Sequence, residues 1–91
     1  YRVELDEIQN ALNAHHKVDV SAMVICGEGE DKHIVAFFES RENLDDLELV
    51  RFLKKLLPSY SIPKKFIFMD KMTRTEVGKI DYRTLKNSIA S

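Results

Sequence analysis

Two apolar segments joined by a short polar reversal constrain this chain more than any other feature. From Val18 to Cys26 the residues Val18, Val20, Ala22, Val24 and Cys26 alternate with Asp19, Ser21, Met23 and Ile25. A period of two is the signature of a strand. Gly27-Glu28-Gly29-Glu30-Asp31 follows, polar and supplied with glycine where the chain must reverse. Apolar character then resumes from His33 to Glu39 through Ile34, Val35, Ala36, Phe37 and Phe38. The pair predicts an antiparallel hairpin that is apolar on both faces. Such a hairpin belongs at the centre of a sheet, and both faces must be covered.

The flanking segments are suited to cover it. Asp6 stands three residues before Gln9 like a capping box, with Leu5 as a staple, and Ile8, Ala11, Leu12 and His15 follow at helical spacing. This predicts a helix over 6–16, closed by His15-His16-Lys17 where cations suit the dipole. Asp45 and Glu48 open a second helix, with a stripe of Leu47, Val50, Leu53 and Leu57 and with Phe52 and Leu56 beside it. Pro58 ends that helix, and Pro63 closes a rigid connector, Ser59-Tyr60-Ser61-Ile62. Residues 1–5 alternate loosely and predict a short strand; Phe66-Ile67-Phe68-Met69 predicts another. A polar loop runs from Asp70 to Gly78, and Asp81 caps a last helix carrying Tyr82, Leu85 and Ile89. The predicted class is α+β: a small mixed sheet of about three main strands packed with helices, in the order β-α-β-β-α-β-loop-α.

Ninety-one residues make one domain, 1–91. A domain of this size buries only about 60% of its unfolded surface, which leaves little for a deep substrate pocket. With 44% hydrophobic and 32% charged residues and only 3 Gly and 2 Pro, disorder and low complexity are excluded. A formal charge of −1 gives no net basic field, so a general nucleic-acid binder is not expected. No apolar run approaches the roughly 18 residues of a membrane span. The single Cys26 forms no internal disulfide, which points to a reducing cytoplasm. A start at Tyr1, with neither an initiator Met nor a signal-like segment, is expected of a piece of a longer protein.

Most candidate sites have simpler explanations. His15 and His16 are adjacent, so on a helix their side chains diverge by about 100° and do not converge on a metal. Cys26 and His33 meet across the hairpin, but two ligands do not make a zinc site, and no metal is expected. Cys26 lacks the base and orienting residue that a nucleophile needs. Lys54, Lys55, Lys64 and Lys65 form a basic cluster better read as a solvated face. The segment Thr73-Arg74-Thr75-Glu76-Val77-Gly78-Lys79-Ile80-Asp81-Tyr82-Arg83 differs from these. It places Lys79 just after a glycine at the tip of a polar loop, a compact charge on a long arm suited to an oxyanion or phosphate in another domain's site.

Three segments occur in order: Tyr1-Arg2-Val3-Glu4-Leu5-Asp6-Glu7-Ile8-Gln9, Leu57-Pro58-Ser59-Tyr60-Ser61-Ile62-Pro63 and Gly78-Lys79-Ile80-Asp81. Together they resemble the C-terminal subdomain of the adenylate-forming enzymes, whose pattern reads Gly-Tyr-Arg-Val-Glu-Leu-x-Glu-Ile-Glu, Leu-Pro-x-Tyr-Met-(Ile/Val)-Pro and Asn-Gly-Lys-(Ile/Val)-Asp-Arg. Gln9, Ser61, Val77 and Tyr82 depart from it, and the lysine is kept. The resemblance implies an AMP-forming ligase that uses ATP with Mg2+ to adenylate a carboxylate and then passes it to a thiol. Lys79 would be the catalytic lysine bridging the carboxylate and the α-phosphate. Arg2 would approach the nucleotide phosphates, and Tyr1 the pantetheine channel once a mobile subdomain rotates. The implied partners are the enzyme's own N-terminal adenylation domain and a carrier protein or CoA. The Gly-Lys-Ile-Asp ending looks more like amino-acid adenylation domains of nonribosomal peptide synthetases and D-alanine:carrier-protein ligases, where the acceptor is a carrier-protein phosphopantetheine thiol, than like acyl-CoA synthetases. The isolated chain is then expected to be inactive. The rival reading is a free-standing interaction module with Lys79 as a loop charge.

Overall fold

The computed structural model describes residues 3–89. The chain forms α1 (Leu5–Asn13), β1 (Val20–Cys26), a short 3-10 turn (Gly29–Asp31) and β2 (His33–Glu39). It continues through α2 (Asp46–Lys54), a second 3-10 turn (Ser59–Ser61), β3 (Lys65–Phe68) and α3 (Tyr82–Ile89). The strands lie in the order β1-β2-β3, with β1 antiparallel and β3 parallel to β2, so the sheet is mixed and β2 is its centre. The α+β class and the three-stranded sheet are those the patterning predicts.

The hairpin forms in the expected register, with Cys26 opposite His33 and Val20 opposite Glu39. Its reversal depends on Gly27, whose φ is +83° and where a Cβ would meet the Asp31 carbonyl oxygen at 2.5 Å. Only glycine satisfies both conditions. The period of two sorts side chains as predicted within β1. Met23 joins Ile34, Ala36 and Phe38 on one face, while Ala22 and Val24 join Val35 and Phe37 on the other. Val18, which precedes the strand, packs with the first group rather than with Val20.

Helices α1 and α2 cover the first face through Ile8 and Leu12, and through Leu49 and Leu53. Each pair is spaced i, i+4, which places both residues on one stripe. Helix α3 covers the second face through Leu85, joined by Met72 from the β3–α3 connection. Asp45 caps α2 by accepting from the Leu47 N–H at 3.1 Å, and Arg51 and Lys54 occupy the last turn, where the dipole favours cations.

Several expectations need correction. No strand forms over residues 3–5: Glu4 is extended as the N-cap and Leu5 already opens α1, so among the described residues the order begins α-β-β-α-β-loop-α. The rest of the expected first strand, Tyr1 and Arg2, lies outside the described residues. Glu4 makes no side-chain cap, and the box of Asp6 and Gln9 does not form, because Asp6 lies within α1 rather than at its N-cap; Gln9 Nε2 donates to the Ser21 carbonyl at 2.8 Å. The first helix ends at Asn13 rather than at residue 16. On α2 the buried stripe is Leu49 and Leu53, and Leu47 is 59% exposed. That helix ends at Lys54, and Pro58 instead caps the second 3-10 turn. The third strand is shifted by one residue, to Lys65–Phe68.

Candidate functional site

The β3–α3 connection is polar but ordered by its backbone. Met72 is buried, and its N–H donates to Glu39 Oε2 at 2.7 Å, which ties the start of the connection to the end of β2. A narrow hairpin follows, in which Arg74 bridges Ile80 in antiparallel fashion. Thr75 N–H donates to the Lys79 carbonyl at 2.7 Å, and Gly78 N–H donates to the Thr75 carbonyl at 2.9 Å. Glu76, Val77 and Gly78 therefore form a three-residue loop. Gly78 has φ +86°, while Glu76 and Val77 keep negative φ. That is a type I turn followed by a left-handed glycine, a common way to close a three-residue hairpin. The glycine before the lysine is thus a requirement of the turn.

Lys79 is held by its backbone and exposed at its side chain. Its N–H donates to Thr75 Oγ1 at 3.3 Å, and Arg74 Nη1 donates to the preceding Gly78 carbonyl at 3.0 Å. Among the described residues its ammonium has no hydrogen-bond or ion-pair partner. Just beyond it, Asp81 N–H donates to the Thr73 carbonyl at 2.9 Å. The Asp81 carboxylate then caps α3, accepting from the Thr84 N–H at 3.1 Å and the Thr84 hydroxyl at 2.8 Å. Those two bonds, the backbone one foremost, hold its carboxyl below the usual carboxylate range, with Arg83 nearby adding to the effect. The lysine therefore sits between a closed turn and a capped helix, with a fixed root and a free charge.

The other candidates are not assembled into sites. Tyr1 and Arg2 lie outside the described residues. His15 and His16 do not diverge as expected; their rings stack at 4.9 Å with an 11° interplanar angle. His15 is buried, and its Nδ1 accepts from the Lys17 backbone N–H at 3.1 Å. Because that N–H can only donate, the ring proton sits on Nε2, which faces Glu48 Oε2 at 3.1 Å. The pair joins the end of α1 to the start of α2. His33 Nδ1 donates to the Asp31 carbonyl. Lys55, Lys64 and Lys65 line three different surface hollows. Among the described residues no group of three His, Cys, Asp or Glu could hold a metal ion, and no helix is long and apolar enough to cross a membrane.

The sequence gives no sign of the contacts that Arg74 and Thr75 make with Gly78 and Lys79, which follow only from the three-residue turn that sets Arg74 opposite Ile80.

Residues 7–79 match the AMP-binding enzyme C-terminal domain, a stretch that ends on the exposed lysine. Bacitracin synthase 1 of Bacillus licheniformis is 39% identical over 87 residues, covering 93% of this chain and 2% of that protein. Gramicidin S synthase 2 of Brevibacillus brevis is 38% identical, covering 93% of this chain and 2% of that protein. The chain thus spans a small fraction of the relatives' length. A solved four-domain nonribosomal peptide synthetase bound to AMP and glycine superposes with a TM-score of 0.83 at 31% identity, over 91% of this chain and 6% of that one. A Mycobacterium tuberculosis fatty acyl-CoA synthetase gives a TM-score of 0.90 at 22% identity, over 99% of this chain and 18% of that one, a likeness of fold alone. On the match over 7–79 and these relatives, the chain belongs to the AMP-binding enzyme C-terminal domain family.

Proposed function

We propose that this chain is the mobile C-terminal subdomain of an ATP-dependent ligase that adenylates an amino acid and passes it to the phosphopantetheine thiol of a carrier protein. The observation that carries the reading is Lys79: an unpartnered ammonium on a backbone fixed by the turn over 75–78, at the end of the stretch that matches the family. In the first step a carboxylate oxygen attacks the α-phosphorus of ATP and pyrophosphate leaves. Negative charge builds on the phosphoryl oxygens, and a preorganised ammonium stabilises it there. Lys79 would bridge those oxygens and the carboxylate. Arg2 would meet the nucleotide phosphates, and Tyr1 would line the pantetheine approach after the subdomain rotates. Among the described residues no group of three His, Cys, Asp or Glu is gathered for a metal ion, and Mg2+ would enter with ATP in the N-terminal domain. The amino-acid branch is supported by the likeness to the bacitracin and gramicidin S synthases, and to a peptide synthetase solved with AMP and glycine. The fold likeness to acyl-CoA synthetases is shared across the superfamily and does not separate the branches.

The test is to measure both half-reactions of Lys79→Ala in the complete enzyme. Adenylation, read as pyrophosphate exchange, should fall by two orders of magnitude or more, about 2.7 kcal/mol of transition-state stabilisation. Transfer from a preformed adenylate should survive, because rotation removes the lysine before the thiol attacks. Near wild-type adenylation would make Lys79 an ordinary surface lysine and end this reading.

A further inference from the structure

The peptide unit joining Gly78 to Lys79 is gripped at both of its polar ends by side chains from the opposite arm of the hairpin. Arg74 Nη1 donates to its carbonyl oxygen at 3.0 Å, and Thr75 Oγ1 accepts from its N–H at 3.3 Å. The carbonyl and N–H of one trans peptide point in opposite directions. Held at one end, the plane can still rock about the chain axis; held at both, its tilt is set. The tilt helps to set φ of Lys79, and hence the direction in which its Cα–Cβ bond leaves the turn. The backbone bonds of the hairpin, from Thr75 N–H to Lys79, from Gly78 N–H to Thr75 and from Asp81 N–H to Thr73, need no particular side chain at 74 or 75.

Arg74 and Thr75 are both exposed. Hydrogen bonds in contact with water add little net stability, since water replaces either partner. Their effect lies in orientation. We propose that Arg74 and Thr75 are positioning residues that together lock the peptide plane between Gly78 and Lys79 and so aim the lysine before the loop meets its substrates. The proposal rests on the assignment of Lys79 to adenylation. A lysine arm has many rotamers, and fixing its root narrows the volume its charge explores. An error of about 1 Å in placing a reacting group costs on the order of a hundredfold in rate, so loss of one grip of two is expected to cost about tenfold.

The test uses the complete enzyme and two pairs of variants. Thr75→Val removes the acceptor while keeping the shape, and Thr75→Ser restores it. Arg74→Met removes the donor while keeping the length, and Arg74→Lys restores one donor. Pyrophosphate exchange should show kcat about tenfold lower for Thr75→Val and for Arg74→Met, with KM for ATP and amino acid within about twofold of wild type. Transfer from a preformed adenylate should be unchanged, and the Ser and Lys variants should recover most of the loss. On a Lys79→Ala background the same substitutions should cause no further loss, because they act through that side chain. Wild-type kcat in Thr75→Val and Arg74→Met, with Lys79→Ala still impaired, overturns the positioning role and leaves that of Lys79 standing. A raised KM for ATP in Arg74→Met points to direct phosphate contact and also overturns it. Wild-type adenylation in Lys79→Ala overturns both readings.

Discussion

At the scale of single residues, Gln9 shows how one atom alters a motif's meaning. The family pattern has glutamate at this place, whereas here an amide donates from Nε2 to the Ser21 carbonyl at 2.8 Å. The Ser21 carbonyl only accepts, so a carboxylate could not take over the contact. Ser21 is itself buried, and its hydroxyl donates to Asn13 Oδ1 at 2.6 Å, so α1 holds this residue of β1 by two side chains. Gln9→Glu should therefore lower stability by about 1–3 kcal/mol, the cost of stranding a buried acceptor. Urea unfolding would show it as a lower midpoint at constant slope. An unchanged midpoint would mean that the Ser21 carbonyl finds its partner elsewhere. Residue chemistry also marks what was legible in the candidate site. Lys79 could be singled out only through the three ordered segments of which Gly78-Lys79-Ile80-Asp81 is the last, since Gly-Lys alone is a weak signal. Arg74 and Thr75 could not, because their contacts with Gly78 and Lys79 exist only once the turn brings them together.

At the scale of elements, legibility followed how many packings each apolar pattern allows. The hairpin could be read because alternation fixes register: a slip of one residue would turn every side chain to the other face. Helix α2 could not, because Leu47, Leu49, Val50, Phe52, Leu53, Leu56 and Leu57 put apolar groups on most of its circumference and on the segment after it. Spacing alone then admits more than one stripe, and packing into the core shared with α1 and the sheet selects Leu49 and Leu53. Over residues 3–5 the expected strand is absent for a related reason. Val3-Glu4-Leu5 is too short to set a period, and Leu5 packs against the core from within α1. The choice of stripe can be measured. Leu49→Ala should cost about 2–5 kcal/mol, as for a large side chain removed from a closed core. Leu47→Ala, at an exposed position, should change stability by no more than about 0.5 kcal/mol. Similar losses at both positions would mean that α2 sits rotated from the arrangement described.

At the scale of the whole molecule, a three-stranded sheet is covered on both faces by short helices, and the chain's apolar content goes into that coverage. An apolar surface hollow of about 290 Å3, lined by Val3, Ile25, Ile34, Tyr60 and Ile62 beside Lys32, His33 and Lys64, does not include Lys79. Lys79 is exposed and stands apart from that hollow. That geometry suits a subdomain whose lysine acts in a pocket built by another domain. It also predicts that residues 1–91 alone fold cooperatively and gain no stability from ATP. The size of the excluded effect makes the experiment decisive. A ligand at a hundred times its Kd stabilises by about 2.7 kcal/mol. For a domain of this length that is a rise in Tm on the order of 10 °C. Thermal unfolding of the isolated chain with and without millimolar ATP should therefore give the same midpoint. A rise of that size would place a micromolar nucleotide site within this chain, and Lys79 would no longer need a second domain to complete its chemistry.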